Sequence, residues 1–111
     1  MNEDCIFCKI VKGEIPSTKV YEDERVIAFN DINPIAPIHI LVIPKTHIDN
    51  YMELDDTDLI IHVNKIIKKI AIEKGLNKNG FRVLTNIGED GGQAVKHLHY
   101  HILGGTKLPT R

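Results

Sequence analysis

Half of the six histidines in this chain, His97, His99 and His101, alternate within HLHYHIL (97–103). On an extended strand residues two apart point to the same face. The three imidazoles therefore share one face, while Leu98, Tyr100 and Ile102 share the other and can pack on a helix. As a bare edge-strand surface the imidazole row would only titrate. As a catalytic metal site it would offer zinc three histidines and leave room for a water, although a tetrahedral set usually draws a ligand from elsewhere in the chain. As a phosphate site it would exploit the ability of imidazole to attack, donate or carry charge near neutral pH. The loop in front, GEDGGQA (88–94), favours phosphate. Its glycines let backbone approach a ligand closely, and their N–H groups can form an anion nest. Loop and row together supply a phosphate holder, a nucleophile and a proton carrier.

Both cysteines of the chain lie near its start, as Cys5-Ile6-Phe7-Cys8. The spacing is that of zinc ligands, but a full site needs two more donors. His47, in PKTHI, and His97 are the candidates. The plain alternative is two reduced, buried thiols. A thioredoxin-like redox role is disfavoured because no strand precedes the motif.

These residues need a scaffold, and 111 residues suffice for one domain, 1–111, with its own core. A net charge of −1 gives no reason to expect nucleic acid or a membrane surface as partner. The acidic start MNEDC does not open a signal peptide, and the apolar runs are too short to span a bilayer. A cytoplasmic protein is expected, in which a structural disulfide is not. IFCKIVKGEIP suits a short amphipathic helix ended by Gly13. Strands are predicted over 18–22 and 25–30, then a two-proline loop, INPIAPI, and a central strand over 39–43 stopped by Pro44. Apolar positions 59, 60, 63, 66, 67 and 70 predict a long helix over 56–74, capped by Asp55 and ended by Gly75. Residues 81–86 read as a strand and HLHYHIL as the last one. Strands grouped on both sides of one long helix predict an α+β fold with a mostly antiparallel five-stranded sheet. His62, within the long helix, reads as solvated or at the edge of the core.

HLHYHIL matches the pattern His-φ-His-φ-His-φ-φ, with φ apolar. With DGGQ before it, and with IFCKIVKGEIP, AFNDINPIAPIHILVIPKTHI and GLNKNGFRVLTNIGEDGGQAVKHLHYHILGG, the chain closely resembles the histidine triad nucleotide-binding proteins, the phosphoramidase branch of the histidine triad (HIT) family. The resemblance covers nearly the whole chain and implies a HIT-like fold. It implies a hydrolase that binds purine nucleotides and cleaves AMP-amine phosphoramidates by nucleotidyl transfer to histidine. No metal is needed for that chemistry.

The resemblance also assigns roles. His99 is the nucleophile, its other ring nitrogen held by a backbone carbonyl. His101 holds the phosphate, and His97 and His39 support the histidine network. Asp31 takes the ribose hydroxyls, as an acceptor-only carboxylate can, with Ile32 beside it. Asn86 and Gly92 lie at phosphate positions. Phe7, Ile10, Ile15, Phe29 and Leu41 match or adjoin the pocket for the base, although each also reads as plain core. Cys5, Cys8, His47 and His97 match a structural zinc site that ties the N-terminal segment to the sheet, away from catalysis. A homodimer with subunits side by side is implied. Two departures stand out. Ala94 replaces a serine frequent in the branch, which predicts slower turnover, and the tail TKLPTR is short, which puts the choice of leaving amine in doubt. Rival readings are a dinucleoside polyphosphate hydrolase and a nucleotide-sensing scaffold module with residual catalysis.

Overall fold

A computed structural model describes residues 4–110. The elements run α1 (Ile6–Val11), β1 (Lys19–Glu22), β2 (Val26–Asn30), β3 (Ile38–Pro44), a 3-10 turn (Tyr51–Glu53), α2 (Thr57–Glu73), β4 (Arg82–Leu84) and β5 (Tyr100–Gly104). The strands form one sheet in the order β1-β2-β3-β5-β4, and every adjacent pair is antiparallel. The α+β architecture expected from the sequence, with five strands, one long helix and one short one, is the one observed.

The centre of the sheet follows from β3. Residues 40–43 are apolar on both side-chain parities, so the strand needs cover on both faces. On one face Ile40 and Val42 pack with Val26, Ala28, Leu98 and Ile102 against Leu59, Val63, Ile66, Ile67, Ile70 and Ala71 of α2. On the other, Leu41 and Ile43 join Ile27 and Phe29 and are covered by Phe7, Cys8 and Ile10 of α1. Each aliphatic side chain so buried contributes roughly 1.5–3 kcal/mol of transfer free energy. His101 pairs with Leu41, and His39 with Leu103. Both imidazoles therefore lie on the α1 face, opposite the long helix.

Several boundaries differ from those expected. Pro44 does not stop β3 but occupies its last position, opposite Val26. The ladder to β5 reaches only Val42, so on that side no partner strand needs the missing N–H. β4 covers three residues rather than 81–86, and β5 begins at Tyr100. His97 and His99 therefore precede the ladder. Leu98 N–H instead bonds Ile48 O at 2.6 Å, and the Thr85 hydroxyl donates to His99 O at 2.8 Å. Ile60, expected in the core, is 37 % exposed.

The cap of α2 is Asp56, whose Oδ1 accepts from Leu59 N–H at 3.1 Å, rather than Asp55. Oδ2 of the same carboxylate pairs with Arg25 at 2.8 Å. At the far end Gly75, at φ +73°, lets its own N–H and that of Leu76 return to Ile72 O and Ala71 O, as a Schellman motif requires. Asp56→Ala should cost about 1 kcal/mol through the lost cap, whereas Asp55→Ala should change stability by less than about 0.5 kcal/mol. Urea unfolding of the two variants measures the difference, and equal costs would contradict this cap.

Candidate active site

His99 sits just before β5, 6 % exposed, its ring edge-on to Phe7 with centroids 5.1 Å apart. Its Nδ1 lies 2.7 Å from the carbonyl oxygen of His97. A carbonyl only accepts, so Nδ1 carries the proton, and in the neutral ring Nε2 is left with a bare lone pair. Burial lowers the pKa of His99, opposed by that same hydrogen bond, and so favours the neutral, nucleophilic form.

His101 and His39 form a second ordered pair. Ile35 N–H donates to His39 Nδ1 at 3.2 Å, which places the His39 proton on Nε2. That nitrogen lies 2.9 Å from His101 Nδ1, so the His101 proton resides on Nε2, available to an acceptor. Burial, then the neighbouring His99 and His39, pulls the His101 pKa down to about 4. His39 is also lowered by burial, with Asp31 opposing. Asp31 Oδ2 is 3.4 Å from His39 Nε2, while its Oδ1 accepts Asn33 N–H at 2.8 Å.

Among the expected base-pocket residues, Phe7, Ile10, Phe29 and Leu41 share one buried cluster, with Ile15 packed against it. Phe7 meets Phe29 edge-on at 5.6 Å. Ile32 stands apart from them, 88 % exposed, next to Asp31. Ala94 is exposed and lines a shallow cleft with Cys5 and Val95.

The glycine loop departs from the expected nest. Gly92 N–H bonds Glu89 O at 3.0 Å, Gly88 N–H bonds Gln93 Oε1 at 2.8 Å, and the Asn86 amide is turned to Gly91 O at 2.8 Å. These N–H groups brace the loop itself. Gly91 has no room for a Cβ, which would run into the Ile87 backbone. The brace is Gln93, to which sequence reasoning gave no role. Its Nε2 donates to Asp49 O at 2.6 Å and to Val95 O at 2.9 Å. A half-buried amide with both ends engaged leaves no periodic trace in a sequence.

Cys5, Cys8, His47 and His97 do converge, with all four donor atoms within 4.8 Å of one another. Cys5 Sγ and Cys8 Sγ lie 3.2 and 3.5 Å from His97 Nδ1, and Cys8 Sγ lies 3.2 Å from His47 Nδ1. Zinc–sulfur and zinc–nitrogen bonds at a tetrahedral angle put sulfur and nitrogen about 3.5 Å apart. The imidazoles are also oriented as ligands. His97 Nε2–H donates to Pro44 O at 2.8 Å and His47 Nε2–H to Asp49 Oδ1 at 2.9 Å, so both Nδ1 lone pairs face the thiols. Burial pulls the His97 pKa down to about 4, which keeps that lone pair free. The residues fit a zinc ion. They are not remote from the histidine row, because His97 belongs to both. Asp31, His39 and His101 are equally close together, but there His39 Nε2–H is already given to His101 Nδ1, with Asp31 3.4 Å away.

His62 lies at the edge of the core as expected, yet it is not alone. Its Nε2 is 2.6 Å from Asp23 Oδ2, which also accepts from the Tyr21 hydroxyl at 2.7 Å. This clamp fastens the β1–β2 turn to α2, away from the histidine row.

Comparison with known proteins decides the family. The HIT domain family model matches residues 12–108. The chain belongs to the HIT domain family. A histidine triad protein from Clostridium difficile is 61% identical, with a TM-score of 0.95 over 100% of this chain and 98% of that one. A structure described as a HIT family hydrolase from Clostridium thermocellum is 49% identical, TM-score 0.94, over 100% and 98% of the two chains. An uncharacterized HIT-like protein of Rickettsia prowazekii is 44% identical over 110 residues, 96% of this chain and 92% of its own length. The HIT domain thus takes in the histidine row, the glycine loop and Asp31, while Cys5 and Cys8 precede the match.

Neutral, buried imidazoles make the stability of this HIT domain pH-dependent. His101 takes up a proton near pH 6.5 when unfolded but only at about 4 when folded. Between those values the unfolded chain binds more protons, so stability falls as pH falls through the window. The urea midpoint should therefore drop between pH 7 and pH 5, and drop less in His101→Gln. An equal drop in both proteins would rule out this contribution.

Proposed function

We propose that this HIT protein is a purine nucleotide-binding hydrolase that cleaves nucleoside phosphoramidates through a nucleotidyl-histidine on His99. The observation that carries this reading is the His99 Nδ1–His97 O hydrogen bond at 2.7 Å, which leaves Nε2 as a bare nucleophile. The solved relative described as a hydrolase supports the reaction class.

In the first step His99 Nε2 attacks the α-phosphorus. The phosphorus–amine bond breaks, and the amine leaves with the electron pair and takes a proton from water. The positive charge that forms on the His99 ring is stabilised by the His97 carbonyl. His101 Nε2–H donates to a non-bridging phosphate oxygen. In the second step water attacks phosphorus and gives up a proton, which neutralises the hydroxide left by the first step; the phosphorus–Nε2 bond breaks, its electron pair returns to Nε2, and a nucleoside monophosphate is released. Asp31 binds the ribose hydroxyls, and Phe7, Ile10, Phe29, Leu41, Ile15 and Ile32 form the side on which the base rests. Asn86, Gly92 and Ala94 border the phosphate. Ala94 offers no hydroxyl to the departing amine, which slows turnover.

The same reading gives Cys5, Cys8, His47 and His97 a structural zinc, which supplies cross-linking and no chemistry. It makes the protein a cytoplasmic homodimer. Two neighbouring cysteines that are not joined in a disulfide suit a reducing compartment. β4 is an edge strand with Val83 42 % exposed, which suits pairing with a second copy. No described helix is long and apolar enough to cross a membrane. Ala94 also favours a second reading, a nucleotide-sensing module with residual catalysis.

The decisive assay is hydrolysis of an adenosine phosphoramidate beside a diadenosine polyphosphate, by the wild type and His99→Ala. Turnover of the phosphoramidate should exceed that of the polyphosphate and fall on the order of 10⁴-fold in the variant, with AMP binding retained. Quenched wild type should carry the mass of one nucleotidyl group on His99. Faster cleavage of the polyphosphate would shift the substrate class, and absence of turnover with intact AMP binding would favour the sensing module.

A further inference from the structure

The Cys5–Cys8–His47–His97 cluster and the nucleophile share a residue. His97 presents its Nδ1 to the two thiols and its carbonyl oxygen to His99 Nδ1 at 2.7 Å. The ring that faces the thiols and the carbonyl that fixes the His99 proton belong to one residue, so an anchor on the ring restrains the backbone that carries the carbonyl. We propose that a metal ion at this cluster switches the enzyme into its competent form, with His97 as the positioning residue that transmits occupancy to His99. The proposal rests on the hydrolase reading above and adds a regulator to it.

The segments that need such a holder are those outside the sheet. Residues 97–99 precede the ladder of β5, residues 45–50 follow the end of β3, and α1 is a six-residue helix. Each contributes to the site. α1 carries Phe7, edge-on to His99 at 5.1 Å and to His97 at 5.9 Å. The segment after β3 carries His47, and its Asp49 carbonyl receives Gln93, the brace of the glycine loop. Its Ile48 carbonyl receives Leu98 N–H, between His97 and His99. One ion with a ligand from each segment would fix all three together. Without it the cluster is joined by thiol–imidazole contacts of 3.2–3.5 Å, and a thiol is a weak donor. The donor set of two sulfurs and two imidazole nitrogens selects zinc.

The test compares zinc-loaded, chelator-stripped and zinc-restored protein, with zinc counted by a chromophoric chelator. ¹⁵N-labelled histidine NMR, at a fixed pH above the titration range of imidazole, reads the His99 tautomer independently of activity. The loaded form should show a protonated Nδ1 and a bare Nε2. Stripping should mix the two tautomers and lower kcat about 10- to 100-fold, with KM nearly unchanged, and zinc should restore both. His97→Gln separates positioning from folding. It keeps Cys5, Cys8 and His47 to hold the ion while detaching the link, and it should lose kcat and the tautomer with zinc still bound. Unchanged His99 nitrogen shifts and kcat in folded, stripped protein, or in zinc-bound His97→Gln, would overturn the proposal. So would a wild type that binds no zinc. Should no form hydrolyse the phosphoramidate, the hydrolase reading fails, and the nitrogen shifts still decide the coupling.

Discussion

A peptide carbonyl can accept a hydrogen bond but never donate one. At His97 that asymmetry organises the active site, because its oxygen lies 2.7 Å from His99 Nδ1 and commits the single proton of a neutral imidazole to one nitrogen. The remaining lone pair is left on Nε2. An acidic partner in the same place would add a full charge and favour a protonated ring strongly; a neutral carbonyl orients the ring with a weaker pull toward the protonated form. Burial keeps the ring neutral, outweighing the hydrogen bond to the His97 carbonyl, which by itself favours protonation. Orientation and protonation state are thus set by two ordinary features, a backbone oxygen and a lack of water.

The same logic runs through the other imidazoles. His97 gives its Nε2 proton to Pro44 O, and His39 accepts Ile35 N–H at Nδ1. Each ring has one nitrogen committed to backbone, so the functional nitrogen of each is determined. His101 is the exception, and its proton is placed by His39 instead. A row of identical side chains is thereby divided into a ring whose Nδ1 faces two thiols, a ring with a bare Nε2 and a ring with a protonated Nε2. Among the described residues no buried side-chain nitrogen or oxygen lacks a partner, which is what four closely packed imidazoles require if they are not to destabilise the fold.

Much of this was legible in the sequence. The alternation of HLHYHIL separated Leu98, Tyr100 and Ile102 from the imidazoles, and in the structure those three do meet the α2 core. The helix period placed Leu59, Val63, Ile66, Ile67 and Ile70 inward. The zinc-like spacing of Cys5 and Cys8 found the two histidines named for it. The misses share a cause. Alternation reports which way side chains point, and that survives in extended backbone with no partner strand, so it could not reveal that the ladder ends at Tyr100. Asp55 and Asp56 are the same residue type side by side, and only the approach of Arg25 and the Leu59 N–H separates them. Gln93 and Asp49 act through backbone oxygens and the ring of His47, contacts that depend on where distant loops meet.

The early end of β5 is itself informative about how the site is built. A ladder fixes backbone by pairing both its N–H and its C=O groups, so a His97 inside one would have its carbonyl engaged by a neighbouring strand. Outside it, the His97 carbonyl is available to His99, while the His99 carbonyl is held by a side chain, Thr85. The freedom that makes this hydrogen bond available also removes the support that strands give each other. That support has to come from elsewhere, and the groups at hand are the Pro44 carbonyl, the Ile48 carbonyl and the thiols of Cys5, which caps α1, and of Cys8 within it. Leaving His99 outside the sheet and bringing His97 against the cysteines are therefore two sides of one structural solution.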